Sequence, residues 1–288
     1  MVGKKLTKAL IDSGHEVRHL SRSSDPNSSI PIFQWNINSG TIDPKAVIGI
    51  DHIVHLAGAP IVDKKWTKAR VEELIRSRAQ SAGLLLSAVK DQRVPLKGFH
   101  SASGINIYGA QPSDHVFTEE DIAGNDTIAR ITAEWEESVR KFESICRTVR
   151  FRIGVILSPD GGALPKLAYP IRYWIGSPLG TGKQWVPWIH LDDVVRLFVR
   201  SIEDETMSGA YNAVSEEHIR NRDLAKAIAH ALDKPFWAPN VPGFVLRILL
   251  GERSDLVLNG YRASNRKLQE SGFEFKRKSI AEALEDAF

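Results

Sequence analysis

Small hydroxyl residues carry the chemistry most directly readable from this chain. Ser101-Ala102-Ser103-Gly104 closes an apolar run, and Tyr108-Gly109 follows it. At the end of a buried strand a hydroxyl can hydrogen-bond a substrate carbonyl and polarise it. Ser103 and Tyr108 are therefore the candidate catalytic residues. An unaided phenol, with a pKa of about 10, is a poor base at neutral pH. None of the tyrosines has a lysine four residues later: Pro112, Tyr173, Ser177, Ser215 and Asn265 stand there. There is no G-x-S-x-G elbow, which argues against hydrolase chemistry. Gly180-Thr181-Gly182-Lys183 lacks the first glycine and the final Ser or Thr of a phosphate loop, since Ser177 and Gln184 occupy those places. His190 and Asp193 have no third ligand at useful spacing. No metal is expected, and Asp193 reads as a helix-start aspartate that complements the dipole.

The elements that must position these groups alternate. Val2, Leu6, Ala9 and Leu10 share one helical face, and Gly14 stops that helix. Strands are expected over 16–20, 51–56, 99–103, 148–157, 185–190 and 210–214, with helices over 67–90, 127–146 and 191–202. Such alternation builds βαβ units and a mostly parallel sheet. Beyond 221 helices dominate, with loops marked by Pro235, Pro239 and Pro242. The expected fold is α/β, a Rossmann-type doubly wound parallel sheet over 1–220 with substrate-side insertions around 160–190. A small, mostly helical substrate-side cap follows over 221–288.

In dinucleotide-binding folds a central strand and a G-x-G-x-x-G loop precede the first helix. Here only Met1-Val2-Gly3 do, so that strand and most of the loop are expected to be missing, with Gly3 as the last loop glycine. The alternative is a surface helix that simply opens the chain. Ser21-Arg22 ends the next strand about 20 residues on, where a ribose-binding residue is expected. A carboxylate there suits the 2′-OH of NAD, and an arginine suits the 2′-phosphate of NADP. The reading favours NADP(H) over NAD(H); the alternative is an ordinary solvated arginine. His55-Leu56-Ala57-Gly58 closes another strand with small residues that let backbone approach a ligand, or that form a plain turn.

Composition narrows the class. Hydrophobic residues are 42% and charged residues 25% of 288, as in ordinary globular proteins. A net charge of +3, evenly spread, argues against nucleic-acid binding. Cys146 is the only cysteine, which excludes an intrachain disulfide and fits a reducing compartment. No apolar run approaches the ~20 residues of a membrane span, and Lys4, Lys5, Lys8 and Asp12 are unlike a signal peptide. The expected location is the cytoplasm, the expected partner a small-molecule substrate, and a homodimer is left open.

Together these residues resemble the extended short-chain dehydrogenase/reductases of the NAD-dependent epimerase family. The resemblance is nearest to the SulA-type nucleoside-diphosphate-sugar epimerases. It is carried by 13–17, His55-Leu56-Ala57-Gly58, Trp66-Thr67 with Ser77-Arg78, Ser101-Ala102-Ser103, 152–157 with 161–164, and most specifically 176–193; Asn221-Arg222 and 249–252 add to it. It implies an NADP(H)-binding core, a C-terminal cap and a substrate pocket between them. Cofactor contacts are implied at Gly3, Ser21, Arg22, Leu56, Ala57 and Gly58, and at Arg78, Ser101, Arg152, Gly154 and Val155. Lys183, Gln184, Trp188 and His190 would face substrate. The family's glycine loop is reduced to Gly3, and Ile128 and Thr132 stand where its Tyr-x-x-x-Lys pair aligns. The leading expectation is hydride transfer between NADP(H) and a small carbonyl or nucleotide-sugar substrate. The alternative is a non-catalytic NADP(H)-binding sensor or partner-binding protein. With the glycine loop reduced, NADPH binding is expected to be weaker than with an upstream strand present.

Overall fold

The computed structural model describes residues 1–25, 27–285 and 287–288. Helix α1 (Val2–Asp12) forms around buried Leu6 and Leu10. It stops because Gly14 takes φ +86° and lets the His15 N–H reach back to the Leu10 carbonyl. Strand β1 (His19–Ser21) pairs in parallel with β2 (Ile32–Asn36), which pairs antiparallel with β3 (Thr41–Ile42). Next come β4 (His52–His55), α2 (Lys68–Asp91), β5 (Gly98–Gly104), β6 (Val116–Phe117), α3 (Thr127–Arg140) and β7 (Arg147–Ile153). Then follow β8 (Val155–Leu157), α4 (Leu164–Arg172), β9 (Trp185–Val186), β10 (Trp188–His190), α5 (Leu191–Glu203) and β11 (Gly209–Ala213). The chain closes with β12 (Ile219–Arg220), α6 (Asn221–Ala231), α7 (Gly243–Leu250), α8 (Asp255–Leu258), β13 (Arg262–Ala263), α9 (Arg266–Glu270) and α10 (Ile280–Leu284).

The central sheet runs β11-β7-β5-β4, all parallel. Its apolar residues face helices on both sides. Phe151, Ile189, Phe198 and Tyr211 pack with Leu6 and Leu10, whereas Phe99, Leu85, Trp135 and Phe142 form the second layer with α2 and α3. The fold is thus α/β and doubly wound. Between β1 and β4 lies a cavity of about 710 Å³, lined by α1, both strands, Trp35 and Leu85. No helix is long and apolar enough to cross a membrane.

Several expected elements differ in detail. The strand expected over 148–157 breaks at Gly154, because a Cβ there would lie 2.6 Å from the Pro187 carbonyl oxygen. The Val155 N–H then donates to that carbonyl, and β8 leaves the sheet to pair with β10. The strand expected over 185–190 splits at Pro187, which has no N–H to continue a ladder. The helix expected over 127–146 stops at Arg140 and continues as one 3₁₀ turn. Strands β2 and β3 and helix α4 were not anticipated. The C-terminal region divides: α6 and α10 pack with Trp188 and α4, while Leu268, Phe273 and Phe275 return to the main core beside Phe198.

Candidate functional site

Register builds the site. In the parallel sheet His55, Ser101 and Arg150 lie side by side, and two residues further on Ser103, Arg152 and Asn212 form a second row. Side chains two residues apart share a face, so both rows point the same way, toward α3. All six are buried. Glu136 of α3 enters this polar floor, only 1% exposed. Its carboxylate accepts from Ser103 Oγ at 2.7 Å and from Arg152 Nε at 2.9 Å and Nη2 at 3.1 Å. Arg150 Nε lies 3.8 Å away, and the Arg150 guanidinium also pairs with Glu143.

Tyr108, in the turn after β5, completes the network. Its hydroxyl accepts from Arg152 Nη1 at 2.8 Å. It lies 2.7 Å from both the Thr118 carbonyl and Asn212 Oδ1, and its one proton goes to either. Burial pushes the Tyr108 phenol up to about 12, against the opposing pull of Arg152. Burial works against the charge of Arg152, but Glu136 and Tyr108 outweigh it and raise its pKa. Ser101 sits beside His55, whose ring nitrogens contact Ser101 Oγ at 3.3 Å and Ser81 Oγ at 2.8 Å. Burial lowers His55 to about 4, so the ring is neutral at pH 7.

The loop after β4 is shaped by α2. Arg78 donates to the Ala59 carbonyl at 3.0 Å, and Ser77 Oγ accepts from the Ala59 N–H at 3.0 Å. A Cβ on Gly58 would lie 2.8 Å from Arg78 Cζ, so the guanidinium fills the space that Gly58 leaves. Arg78 also stacks 5.1 Å from the Trp135 ring. Gly3 meets this loop at Leu56, whose Cδ1 is 3.7 Å from the Cβ a substituent would add. Ser21 Oγ accepts from the Ser23 N–H. Arg22 is exposed and has no hydrogen-bond or ion-pair partner among the described residues.

The residues expected to face substrate are dispersed in role. Lys183 is exposed on its loop. Gln184 Nε2 donates to the Leu179 and Val257 carbonyls. Trp188 is 1% exposed and donates to the Glu217 carbonyl at 3.0 Å. His190 caps α5, its Nδ1 accepting from the Asp192 N–H at 3.2 Å, and burial lowers its pKa. Asp193 is fully buried and ties down the Lys276 and Arg277 N–H groups. Among the described residues no group of three His, Cys, Asp or Glu side chains is placed to hold a metal.

The structure brings Ser103 and Tyr108, expected as catalytic residues, and Arg152, expected as a cofactor contact, into one network, whose further members Glu136 and Asn212 the sequence reading missed. The signal for Glu136 was present: it shares a helical face with Ile128, Ile131, Thr132, Trp135 and Val139, all buried. A carboxylate on an otherwise apolar face calls for a buried partner. Ile128 and Thr132 are themselves buried, and Thr132 Oγ1 donates to the Ile128 carbonyl.

Comparisons with known proteins accord with this geometry. Residues 241–287 match a domain of unknown function, DUF1731. An epimerase family protein of Mycobacterium bovis is 33% identical, covering 99% of this chain and 93% of its own. The chloroplastic SDR39U1 homolog of Arabidopsis thaliana is 31% identical, covering 98% of this chain and 82% of its own. Human epimerase family protein SDR39U1, solved with NADPH, is 26% identical and superposes with a TM-score of 0.89, covering 100% of this chain and 95% of that one. Residues 1–213 match the NAD dependent epimerase/dehydratase model, and with these relatives the chain belongs to that epimerase family.

Proposed function

We propose that the chain binds NADP(H) and serves hydride transfer to or from a small carbonyl or nucleotide-sugar substrate. The observation that carries this reading is Arg22, exposed and without a hydrogen-bond or ion-pair partner among the described residues, beside Ser21 at the end of β1. A guanidinium there pairs bidentately with a 2′-phosphate, whereas a carboxylate would serve a 2′-OH. The residues present fit the rest of the cofactor. Helix α1 begins with no acidic residue and no side-chain cap, so its first N–H groups and dipole are available to a pyrophosphate. In the direction of a Cβ, Gly3 faces only Leu56 Cδ1, at 3.7 Å, among the described residues outside its own turn. The similar human protein solved with NADPH supports the same preference.

The nicotinamide, when bound, supplies the hydride. The chain supplies orientation: Arg78 shapes the 57–59 loop, and the Glu136–Arg152 pair fixes Ser103 and Tyr108. The proposed compartment is the cytoplasm and the proposed partner a small molecule rather than a nucleic acid. The test is NADPH consumption, followed by absorbance, with a panel of aldehydes, ketones and nucleotide sugars. Turnover of at least one supports the proposal; saturable NADPH binding without turnover refutes it.

One observation favours a second reading, a non-catalytic NADP(H) sensor. Ile128 and Thr132 replace an acid–base pair, and Tyr108 stays protonated within its network. Ser103→Ala separates the two: lost turnover supports the enzyme, and no change in any activity supports the sensor.

A further inference from the structure

Exposed apolar side chains are spread unevenly over the molecule. Among the described residues, eight of the fifteen large ones fall in two short segments, 169–175 and 237–249. On α4, Leu164, Ala168 and Ile171 face the core. Tyr169 and Tyr173 are exposed one turn apart, with ring centroids separated by 5.1 Å. Trp174 follows at φ +68°, a left-handed conformation that a bulky residue rarely adopts. Its carbonyl accepts from Trp237 Nε1 at 3.0 Å, and Trp237 is itself 70% exposed. Backbone bonds lace the two stretches together beyond that contact. The Ala238 N–H donates to the Gly176 carbonyl, the Val241 N–H to that of Pro178, and the Gly180 N–H to that of Val241. Helix α7 starts directly after this seam. Leu246 is its one buried residue, whereas Phe244, Ile248 and Leu249 are exposed, Ile248 by 73%. Concentrated exposed apolar surface marks an interaction site.

The charges state what can cover it. Residues 161–191 and 234–251 contain no Asp or Glu, in a chain that has 35 of them. Lys166, Arg172 and Arg247 are exposed, and Lys234 is half-buried with its Nζ 4.5 Å from the Trp174 ring. A second copy of the chain would set these cations against themselves. A purely apolar partner would strip water from them and pair them with nothing. A nucleic acid would meet the cations through its phosphates but give Ile248 and Leu249 no apolar medium to enter. An anionic bilayer satisfies every part. Aliphatic side chains enter the acyl boundary, Trp and Tyr rings sit at the headgroup level, and long Lys and Arg side chains reach lipid phosphates.

We infer that this surface docks the chain peripherally on an anionic phospholipid bilayer, through α7 and the 169–175 segment. The chain lies on the bilayer and not across it, in keeping with the lack of any helix long and apolar enough to cross. The inference rests on surface shape and charge and is independent of cofactor or activity.

The test is sedimentation of the full chain with vesicles of phosphatidylcholine carrying about one-third phosphatidylserine, against vesicles of phosphatidylcholine alone. Each Lys or Arg near an anionic surface strengthens binding about fivefold. Wild type is therefore expected to bind the anionic vesicles about tenfold or more tighter than the neutral ones. Lys166→Gln with Arg247→Gln should weaken binding to the anionic vesicles about 25-fold. Ile248→Ser with Leu249→Ser should weaken it about tenfold or more, by removing apolar area from the contact. All four positions are exposed, and a melting midpoint near that of wild type verifies that the variants fold. No binding to the anionic vesicles, equal binding to both kinds, or wild-type binding by either pair of substitutions overturns the proposal. A concentration-dependent dimer that Ile248→Ser with Leu249→Ser abolishes, without any sedimentation on vesicles, would assign the surface to a second copy and overturns it as well.

Discussion

Replacing Glu136 with alanine is expected to be among the most destabilising single changes in the molecule. The carboxylate is 1% exposed and accepts two hydrogen bonds from Arg152 and one from Ser103. Glu136→Ala leaves the Arg152 guanidinium buried, held by the Tyr108 hydroxyl and the Glu119 carbonyl alone. Arg152 cannot escape by losing its proton, because a guanidinium keeps its charge in proteins even without its carboxylate partner. Removing one member of a buried pair costs about 3–5 kcal/mol, against a total stability of ~5–15 kcal/mol. Replacing both members by apolar groups of similar volume is often close to neutral. Glu136→Leu with Arg152→Met should therefore recover most of the loss, and the coupling energy should be about 2 kcal/mol or more. Urea unfolding at constant m-value reads all three variants. A loss below about 1 kcal/mol for Glu136→Ala, or strict additivity in the double variant, would refute the reasoning.

Two other predictions follow from buried titratable groups. His55 is lowered to about 4 from an ordinary 6.5, so its neutral form is the native one. Its contribution is complete above pH 6.5 and is lost as pH falls toward 4, because only the unfolded chain takes up the proton. Over that window it sums to about 3 kcal/mol at ~1.4 kcal/mol per pH unit. The difference in stability slope between wild type and His55→Asn measures it, and identical slopes would rule it out. Tyr108→Phe should cost about 1–3 kcal/mol, since the Thr118 carbonyl and Asn212 Oδ1 lose their donor. It should leave the pH dependence of any turnover below pH 10 unchanged, because the phenol is held protonated to about 12. A displaced pH profile would make Tyr108 an acid–base group.

The alternation of apolar runs was enough to read the doubly wound core. The helix over 67–90 and the strand over 99–103 match α2 and β5 to within a residue at each end. What was not legible depends on contacts distant in sequence. Nothing local marks Gly154 as a strand break; the cause is Pro187, brought alongside by β10. The polar floor was half legible, because hydroxyls at a strand end suggest chemistry on sight. The Ser103–Arg152–Asn212 row needs the register of three strands, and Glu136 needs α3 laid across them. The return of 268–275 to the main core was hidden for the same reason: Phe273 and Phe275 pack with Phe198 from a segment whose own pattern is short.

The central claim is a preference for the 2′-phosphate, and a ratio of affinities tests it most directly. Fluorescence titrations of NADPH and NADH on the wild-type chain and on Arg22→Ala give that ratio irrespective of how tight either cofactor binds. A charge-assisted hydrogen-bonded pair is worth about 1.5–3 kcal/mol, or roughly 10–150-fold. Wild type is expected to favour NADPH by that factor, and Arg22→Ala to lose the preference while its NADH affinity stays the same. Equal affinity for the two cofactors in wild type, or a preference that survives Arg22→Ala, would contradict it.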